Sequence, residues 1–368
     1  MKRLFVLMMT LPLLLVACGG DDGGGEALYL KALKSTFEIE AAGGNIEIAV
    51  STNADGLRAV VSEADWANTV SDNKVVVTVP KNNSTEGRTA TVTLSAEGVD
   101  DVFVKIIQAG KPISIISKDV TFTTTYLGGD KGKYTIYLPY DYEEAAQAGK
   151  KYPVLYLLHG MWSHNNEWHE KGKVQETTDN AVRGGLLSDM IVVMPNAYDS
   201  FYVDGYMQGI NYESFFWNDL KPHIEKTYPV STERELTAIA GLSMGGFGCT
   251  YYAFTHPEEF FLCYEMSGAV EGMSTPQVPS LKMIFEREGY TSEDFESLPT
   301  YIMDCGTEDS MCLYANINTH YYLESVGYPH EYILRSGAHD WVFWEASYVT
   351  LINRLCQYWK PVTAEDEK

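Results

Sequence analysis

A serine set between two glycines, Gly241-Leu242-Ser243-Met244-Gly245, follows the short apolar run Leu236-Thr237-Ala238-Ile239-Ala240 and precedes small and apolar residues from Gly246 to Tyr251. The pattern predicts a strand, a sharp turn and a helix, the setting of a nucleophile elbow. Such a turn strains the backbone of the serine, and a side chain on either flank would strike the adjoining strand or helix, so glycine is needed there. The hydroxyl is then presented at a helix N-terminus, where free N–H groups and the helix dipole favour developing negative charge. Alone, the pentapeptide also fits a glycine-rich turn that packs a helix closely on a sheet. Acyl chemistry further requires an acid and a histidine, following the serine in that order, and two donors for an oxyanion.

After Ser243 come His256, His320, His330 and His339. His256 precedes Pro257 in a turn, His320 lies in a segment of helical spacing, and His330 sits in a Gly-Tyr-Pro-His turn; these three read as structural. His339 follows a strand, Glu331-Tyr332-Ile333-Leu334, and a four-residue loop, so it can swing over a sheet edge; its bland alternative is a ring stacked on Trp341 or Trp344. The acid belongs after the preceding strand, Tyr301-Ile302-Met303-Asp304-Cys305. Asp304 lies within that strand and reads as structural. Asp309, beyond the Gly306 turn, can point at the histidine, with Glu308 as the alternative. The acid's task is to hold one imidazole tautomer and stabilise the imidazolium.

A second dense apolar run, Tyr152-Pro153-Val154-Leu155-Tyr156-Leu157-Leu158, ends in His159-Gly160-Met161-Trp162. It reads as a central parallel strand buried on both faces. The loop after such a strand supplies one oxyanion N–H and the residue after the nucleophile the other, which selects the backbone amides of Met161 and Met244. His159 reads as a residue fixing this loop. A zinc site built from His159, His164 and His169 fits no helical or hairpin ligand spacing, and no phosphate loop or cofactor motif is visible.

Placing these groups together demands an α/β fold with a parallel sheet. The phrases from Tyr152 to Gly160 and from Ala240 to Gly246, together with Ile191-Val192-Val193-Met194-Pro195-Asn196, Asn218-Asp219-Leu220 at a helix start, Cys305-Gly306-Thr307-Glu308-Asp309 and Gly337-Ala338-His339-Asp340-Trp341, resemble the esterase D group of α/β-hydrolases. That group includes carbohydrate esterase family one, formylglutathione hydrolases and mycolyltransferases. The resemblance covers residues 118–359. It implies a carboxylic ester substrate and maps nucleophile, acid and base onto Ser243, Asp309 and His339. Of the aromatics between Met161 and Asn218, Trp162, Tyr206 and Trp217 are the candidate substrate contacts, with Trp341 beside the base.

The front of the chain differs. Residues 1–17 carry Lys2 and Arg3, an apolar core and small residues before Cys18, the pattern of a bacterial lipoprotein signal. The expectation is a mature chain starting at lipidated Cys18, a flexible tether over 18–27, and a lipid anchor in the outer membrane, on its periplasmic or cell-surface side. Residues 28–111 alternate apolar and polar in short runs such as Asn45-Ile46-Glu47-Ile48-Ala49-Val50, the pattern of a β-sandwich. They resemble a BACON-type immunoglobulin-like module through Asp65-Trp66, Asn82-Asn83 and the closing Val104–Gly110 run; Trp66 reads as core or as a sugar platform. The hydrolase is expected over 112–360 and an acidic tail over 361–368.

The net charge of −23 excludes nucleic acid, which needs a basic face. Setting Cys18 aside leaves an odd number of cysteines, which argues against a full disulfide framework, with a Cys305–Cys312 bridge left open. The expected function is a serine carboxylesterase on plant cell-wall polysaccharide or its oligosaccharides, feruloyl esterase first and acetylxylan or general carboxylesterase second. An inactive surface glycan-binding lipoprotein, an acyltransferase and a peptidase are the other readings. The oligomeric state is not legible.

Overall fold

The computed structural model describes residues 27–271 and 275–361. The expected signal, Cys18, the tether up to residue 26 and tail residues 362–368 lie outside the described residues. The chain divides into two compact units, Met1–Lys111 and Pro112–Lys368.

The first unit holds strands β1 (Leu30–Ala32), β2 (Thr36–Ile39), β3 (Gly44–Thr52), β4 (Arg58–Val61), β5 (Ala67–Ser71), β6 (Lys74–Val79), β7 (Arg88–Ser95) and β8 (Val102–Gln108). They form two four-stranded sheets, ordered β1-β3-β6-β5 and β2-β8-β7-β4. The period-two alternation puts Ile46, Ile48 and Val50 of β3 inward, against Val75, Val77, Val92, Leu94, Val104 and Ile106. Trp66 is 5% exposed and belongs to this core, so its ring is not a sugar platform.

The second unit is an α/β layer structure. Its strands are β9 (Ser114–Phe122), β10 (Gly132–Pro139), β11 (Val154–Leu158), β12 (Ile191–Pro195), β13 (Thr237–Leu242), β14 (Leu262–Met266), β15 (Thr300–Gly306) and β16 (His330–Arg335). Its helices are α1 (Tyr142–Gln147), α2 (Glu167–Glu170), α3 (Val174–Arg183), α4 (Tyr212–Phe215), α5 (Lys221–Thr227), α6 (Met244–Thr255), α7 (Leu281–Glu288), α8 (Leu313–Val326) and α9 (Trp341–Tyr358). The eight strands form one sheet ordered β16-β15-β14-β13-β11-β12-β10-β9. Strands β11 to β16 run parallel, while β10 pairs antiparallel with both β9 and β12.

Every residue of β11, β12, β13 and β14 is buried, as parallel strands covered on both faces must be. One face packs under α4 to α8 and the other under α3 and α9, giving two apolar layers. In the register Leu242 pairs with Met266 and Met266 with Asp304, so β13 and β14 end level with each other and β15 runs two residues further, to Gly306. Gly306 pairs with Arg335, which brings the end of β16 to the same edge.

One helix boundary differs from expectation. Asn218-Asp219-Leu220 does not open a helix: α4 runs through a π turn, Phe216–Leu220, into α5. Pro222 has no N–H for the Asn218 carbonyl and its ring would crowd that carbonyl in a regular α-helix; the wider π turn accommodates it. Asp219 caps nothing and instead accepts the Thr124 hydroxyl at 2.6 Å.

Candidate active site

Ser243 occupies the turn between β13 and α6 with φ 53° and ψ −117°, a sparsely populated conformation for a residue with a side chain. It is held from both sides. Its N–H donates to the Met266 carbonyl at 3.0 Å, and its own carbonyl accepts the Ala269 N–H at 2.9 Å and the Phe247 N–H at 3.1 Å. The tightness of the turn shows at Gly245, where a Cβ would lie 2.5 Å from the Leu158 carbonyl oxygen and 2.6 Å from that of His159.

His339 Nε2 lies 2.9 Å from Ser243 Oγ, and His339 Nδ1 lies 2.8 Å from Asp309 Oδ2. The structure therefore brings together the three side chains singled out in the sequence. Asp309 is fully buried, and its other oxygen, Oδ1, accepts the Met311 and Cys312 N–H groups at 2.9 and 2.8 Å. Burial pushes the Asp309 carboxyl up, but the bonds to His339 and to the Cys312 amide outweigh it and hold the group below the usual carboxylate value. A carboxylate that stays ionised beside an imidazole favours the Nδ1–H tautomer, leaving Nε2 to accept from the serine.

The loops carrying acid and base are joined by their backbones. Thr307 N–H donates to the Arg335 carbonyl at 2.9 Å and Glu308 N–H to the Gly337 carbonyl at 3.0 Å. Glu308 is not the acid: its exposed carboxylate accepts the Gly337 N–H and so steadies the base loop. Asp340 caps α9 by accepting the Val342 and Phe343 N–H groups, which fixes the chain just past His339. Asp304 stays within β15, accepting from Tyr264 Oη at 3.0 Å and Arg335 at 3.1 Å.

Met161 and Met244, the expected oxyanion donors, both line the cleft that holds Ser243. Met244 is the first residue of α6, where helix N–H groups lack intrahelical partners. His159 fixes the peptide of the other expected donor, Met161. Its Nδ1–H donates at 2.7 Å to the Gly160 carbonyl, the oxygen of the very peptide whose N–H belongs to Met161. Its Nε2 accepts the Ala197 N–H at 2.8 Å, so both bonds demand the neutral ring. Burial lowers the His159 pKa to about 4, in agreement. Asp199 accepts the Trp162 N–H at 2.6 Å, pinning the next peptide.

The cleft has a volume of about 470 Å³. Around Ser243 and His339 it is walled by Trp162, Phe201, Trp341, Trp344, Met311 and a polar side of Ser163, Glu167 and Lys171. Glu167 accepts from Ser163 and Lys171 at 2.6 Å each. Trp344 meets His339 edge to face, ring centroids 5.0 Å apart.

Of the four aromatic contacts expected, Trp162 and Trp341 line the cleft and two do not. Tyr206 is not part of the lining and packs on Phe201, ring centroids 5.0 Å apart. Trp217 stacks on His256 at 4.0 Å and packs against Phe216 and Tyr252, because the π turn directs it into the helical layer. Phe201, Trp344 and Met311 take their places at the wall. The signal for Trp344 was its position five residues past the base on the capping helix. Cys305 and Cys312 are free thiols. Among the described residues His159, His164 and His169 do not form a metal cluster. Asp309, Cys312 and His339 do converge, but the acid and imidazole are committed to hydrogen bonds and burial keeps the Cys312 thiol protonated.

A strained serine at a strand–helix turn, a histidine and a buried acid on successive strand ends of a mostly parallel sheet define a serine ester hydrolase of the α/β-hydrolase fold. Residues 125–354 match the family model described as "Putative esterase", and the chain belongs to that family. A solved ferulic acid esterase is 34% identical, covering 68% of this chain and 100% of its own, with a TM-score of 0.58. An endo-1,4-beta-xylanase/feruloyl esterase of Xylanibacter ruminicola is 32% identical over 129 residues, which span 34% of this chain and only 18% of that protein. An acetyl esterase of Caldicellulosiruptor saccharolyticus is 24% identical over 216 residues, covering 52% of this chain and 78% of the relative.

Proposed function

We propose that this chain is a feruloyl esterase that removes ester decorations from plant cell-wall polysaccharide or its fragments. The observation carrying the reading is the Ser243–His339–Asp309 line opening into a cleft walled by Phe201, Trp341 and Trp344. Flat aromatic walls suit a phenolic acyl group, and the feruloyl esterase relatives support the same choice.

In the first half-reaction His339 Nε2 takes the Ser243 proton as Oγ attacks the ester carbonyl carbon. The carbonyl oxygen becomes an oxyanion received by the Met161 and Met244 N–H groups; losing one such donor typically costs about 3–4 kcal/mol. His339 then gives its proton to the departing sugar oxygen, leaving an acyl-serine. Water, deprotonated by the same imidazole, attacks that ester and frees the acid and Ser243. Asp309 remains ionised throughout and balances the imidazolium.

The acetyl esterase relative favours a second reading, an acetylxylan esterase. Measured kcat/KM for methyl ferulate, feruloylated arabinoxylan oligosaccharide and acetylated xylan separates the two. Turnover of the acetyl substrate with none of the ferulates would sink the feruloyl assignment, and turnover of none would favour an inactive glycan-binding protein. From the sequence we also propose a lipid anchor at Cys18 in the outer membrane and a BACON-type spacer over 28–111. Cys18→Ala is expected to move the protein from the membrane fraction to the soluble one; unchanged fractionation refutes the anchor.

A further inference from the structure

We propose that Glu265 is a positioning residue that holds the backbone clamp on Ser243 and ties it to the loop of Asp309. The proposal rests on Ser243 and Asp309 acting as assigned above, and it starts from a carboxyl group the mechanism leaves unused. Glu265 lies on β14, next to the nucleophile strand, and is fully buried. Its Oε2 accepts the Gly268 N–H at 2.5 Å, and among the described residues it is met by no cation and its Oε1 has no hydrogen-bond partner. A buried carboxyl with a free oxygen is costly unless it serves a purpose.

Its one bond falls in the middle of the segment that grips Ser243. Met266 O and Ala269 N hold the serine's N–H and carbonyl, and Gly268 lies between them. Gly268 is clasped from several directions. A Cβ there would lie 2.3 Å from Glu265 Oε2, and a Cβ on Gly246 of α6 would lie 2.5 Å from the Gly268 Cα. The Gly268 carbonyl accepts from Asn316 Nδ2 at 2.8 Å, and the same amide nitrogen donates to the Cys312 carbonyl at 3.0 Å. Cys312 N–H in turn bonds Asp309 Oδ1. One continuous path therefore runs from Glu265 through Gly268, Asn316 and Cys312 to the acid, with the nucleophile's clamp branching from Gly268. Losing the Glu265 acceptor frees the Gly268 amide, and the clamp and the acid loop relax together.

Burial pushes the Glu265 carboxyl well above the ordinary range; the Gly268 amide opposes this, while Asp304 and Asp309 add to it. The group works as an un-ionised acid, so glutamine reproduces its shape and its acceptor oxygen, whereas leucine keeps the volume and removes the acceptor. The experiment compares wild type, Glu265→Gln, Glu265→Leu and Ser243→Ala. It reads kcat and KM on nitrophenyl acetate, the rate at which a small fluorophosphonate labels Ser243, and the near-ultraviolet circular dichroism of each protein. Glu265→Gln is expected within about three-fold of wild type. Glu265→Leu is expected to keep its fold and its KM but lose about 10- to 100-fold in kcat, with labelling slowed in parallel, as a small misplacement of reacting groups produces. A Leu variant with wild-type kcat, a loss confined to KM, or a Gln variant as impaired as Leu overturns the proposal. If Glu265→Leu does not fold, Glu265→Asp, whose shorter acid falls short of Gly268, takes its place with the same expected and refuting results. Wild type that neither labels nor turns over would refute the esterase reading itself, whereas active wild type with an unaffected Leu variant refutes only Glu265.

Discussion

Asp309→Asn tests the assigned roles most directly, because the surrounding bonds dictate which way the new amide must face. Asp309 Oδ1 accepts two backbone N–H groups, from Met311 and Cys312. An NH₂ cannot accept, so in the variant the amide oxygen must take that position and the NH₂ must turn toward His339. There it donates to Nδ1, 2.8 Å away in the native pair. Nδ1 becomes an acceptor, the proton moves to Nε2, and the ring presents an N–H to Ser243 Oγ where it needs a lone pair. In serine hydrolases a trapped tautomer of this kind lowers kcat by about 10⁴, which corresponds to about 5 kcal/mol of transition-state stabilisation. The variant should fold normally, since every backbone bond survives. The assay is kcat on methyl ferulate alongside fluorophosphonate labelling, with thermal unfolding as the control for structure. Activity within ten-fold of wild type in a folded variant would refute both the tautomer argument and the acid assigned here.

Further outcomes are expected elsewhere. His159 is buried neutral with its pKa lowered to about 4, so its share of stability is intact above about pH 6.5 and lost as pH falls toward 4. Urea unfolding across that window should show a loss on the order of 3 kcal/mol that His159→Gln lacks, and identical slopes would refute it. Gly245→Ala should destabilise the protein and abolish labelling of Ser243, since its methyl would meet the Leu158 and His159 carbonyls at 2.5 and 2.6 Å; an active, stable variant would contradict the elbow geometry. Trp162 is 80% exposed at the cleft with φ 59°, so Trp162→Ala should raise KM for a feruloylated oligosaccharide by about five-fold and leave methyl ferulate unchanged. Equal effects on both substrates would remove Trp162 from contact with the sugar.

The groups aligned at the site were legible because each sits at the end of a strand whose apolar run and following turn are local signals. Asp309 could be preferred to Asp304 and Glu308 by counting residues past β15, and the structure gives each of the other two a different bond. The pocket wall was not legible in the same way. Trp217 and Tyr206 have the right composition, but their direction depends on a π turn and on packing against Phe201, neither of which leaves a periodic trace. Glu265 carries no motif at all. Its place follows from pairing β14 with β13, a long-range relation that no local window contains. In the sandwich, by contrast, alternation revealed β3, β6 and β7 because each has one wet face.

Nucleophile, acid and base all leave the same rim of the sheet, from β13, β15 and β16. Hydrogen bonding spaces neighbouring strands about 4.8 Å apart, so the ladder itself acts as a ruler for the reactive groups. The opposite rim, where the strands begin, bears none of them. Insertions or a new chain opening placed at that far rim should therefore leave hydrolysis untouched, whereas a slip of one residue between β13 and β14 would disarm the enzyme while keeping nearly all its secondary structure.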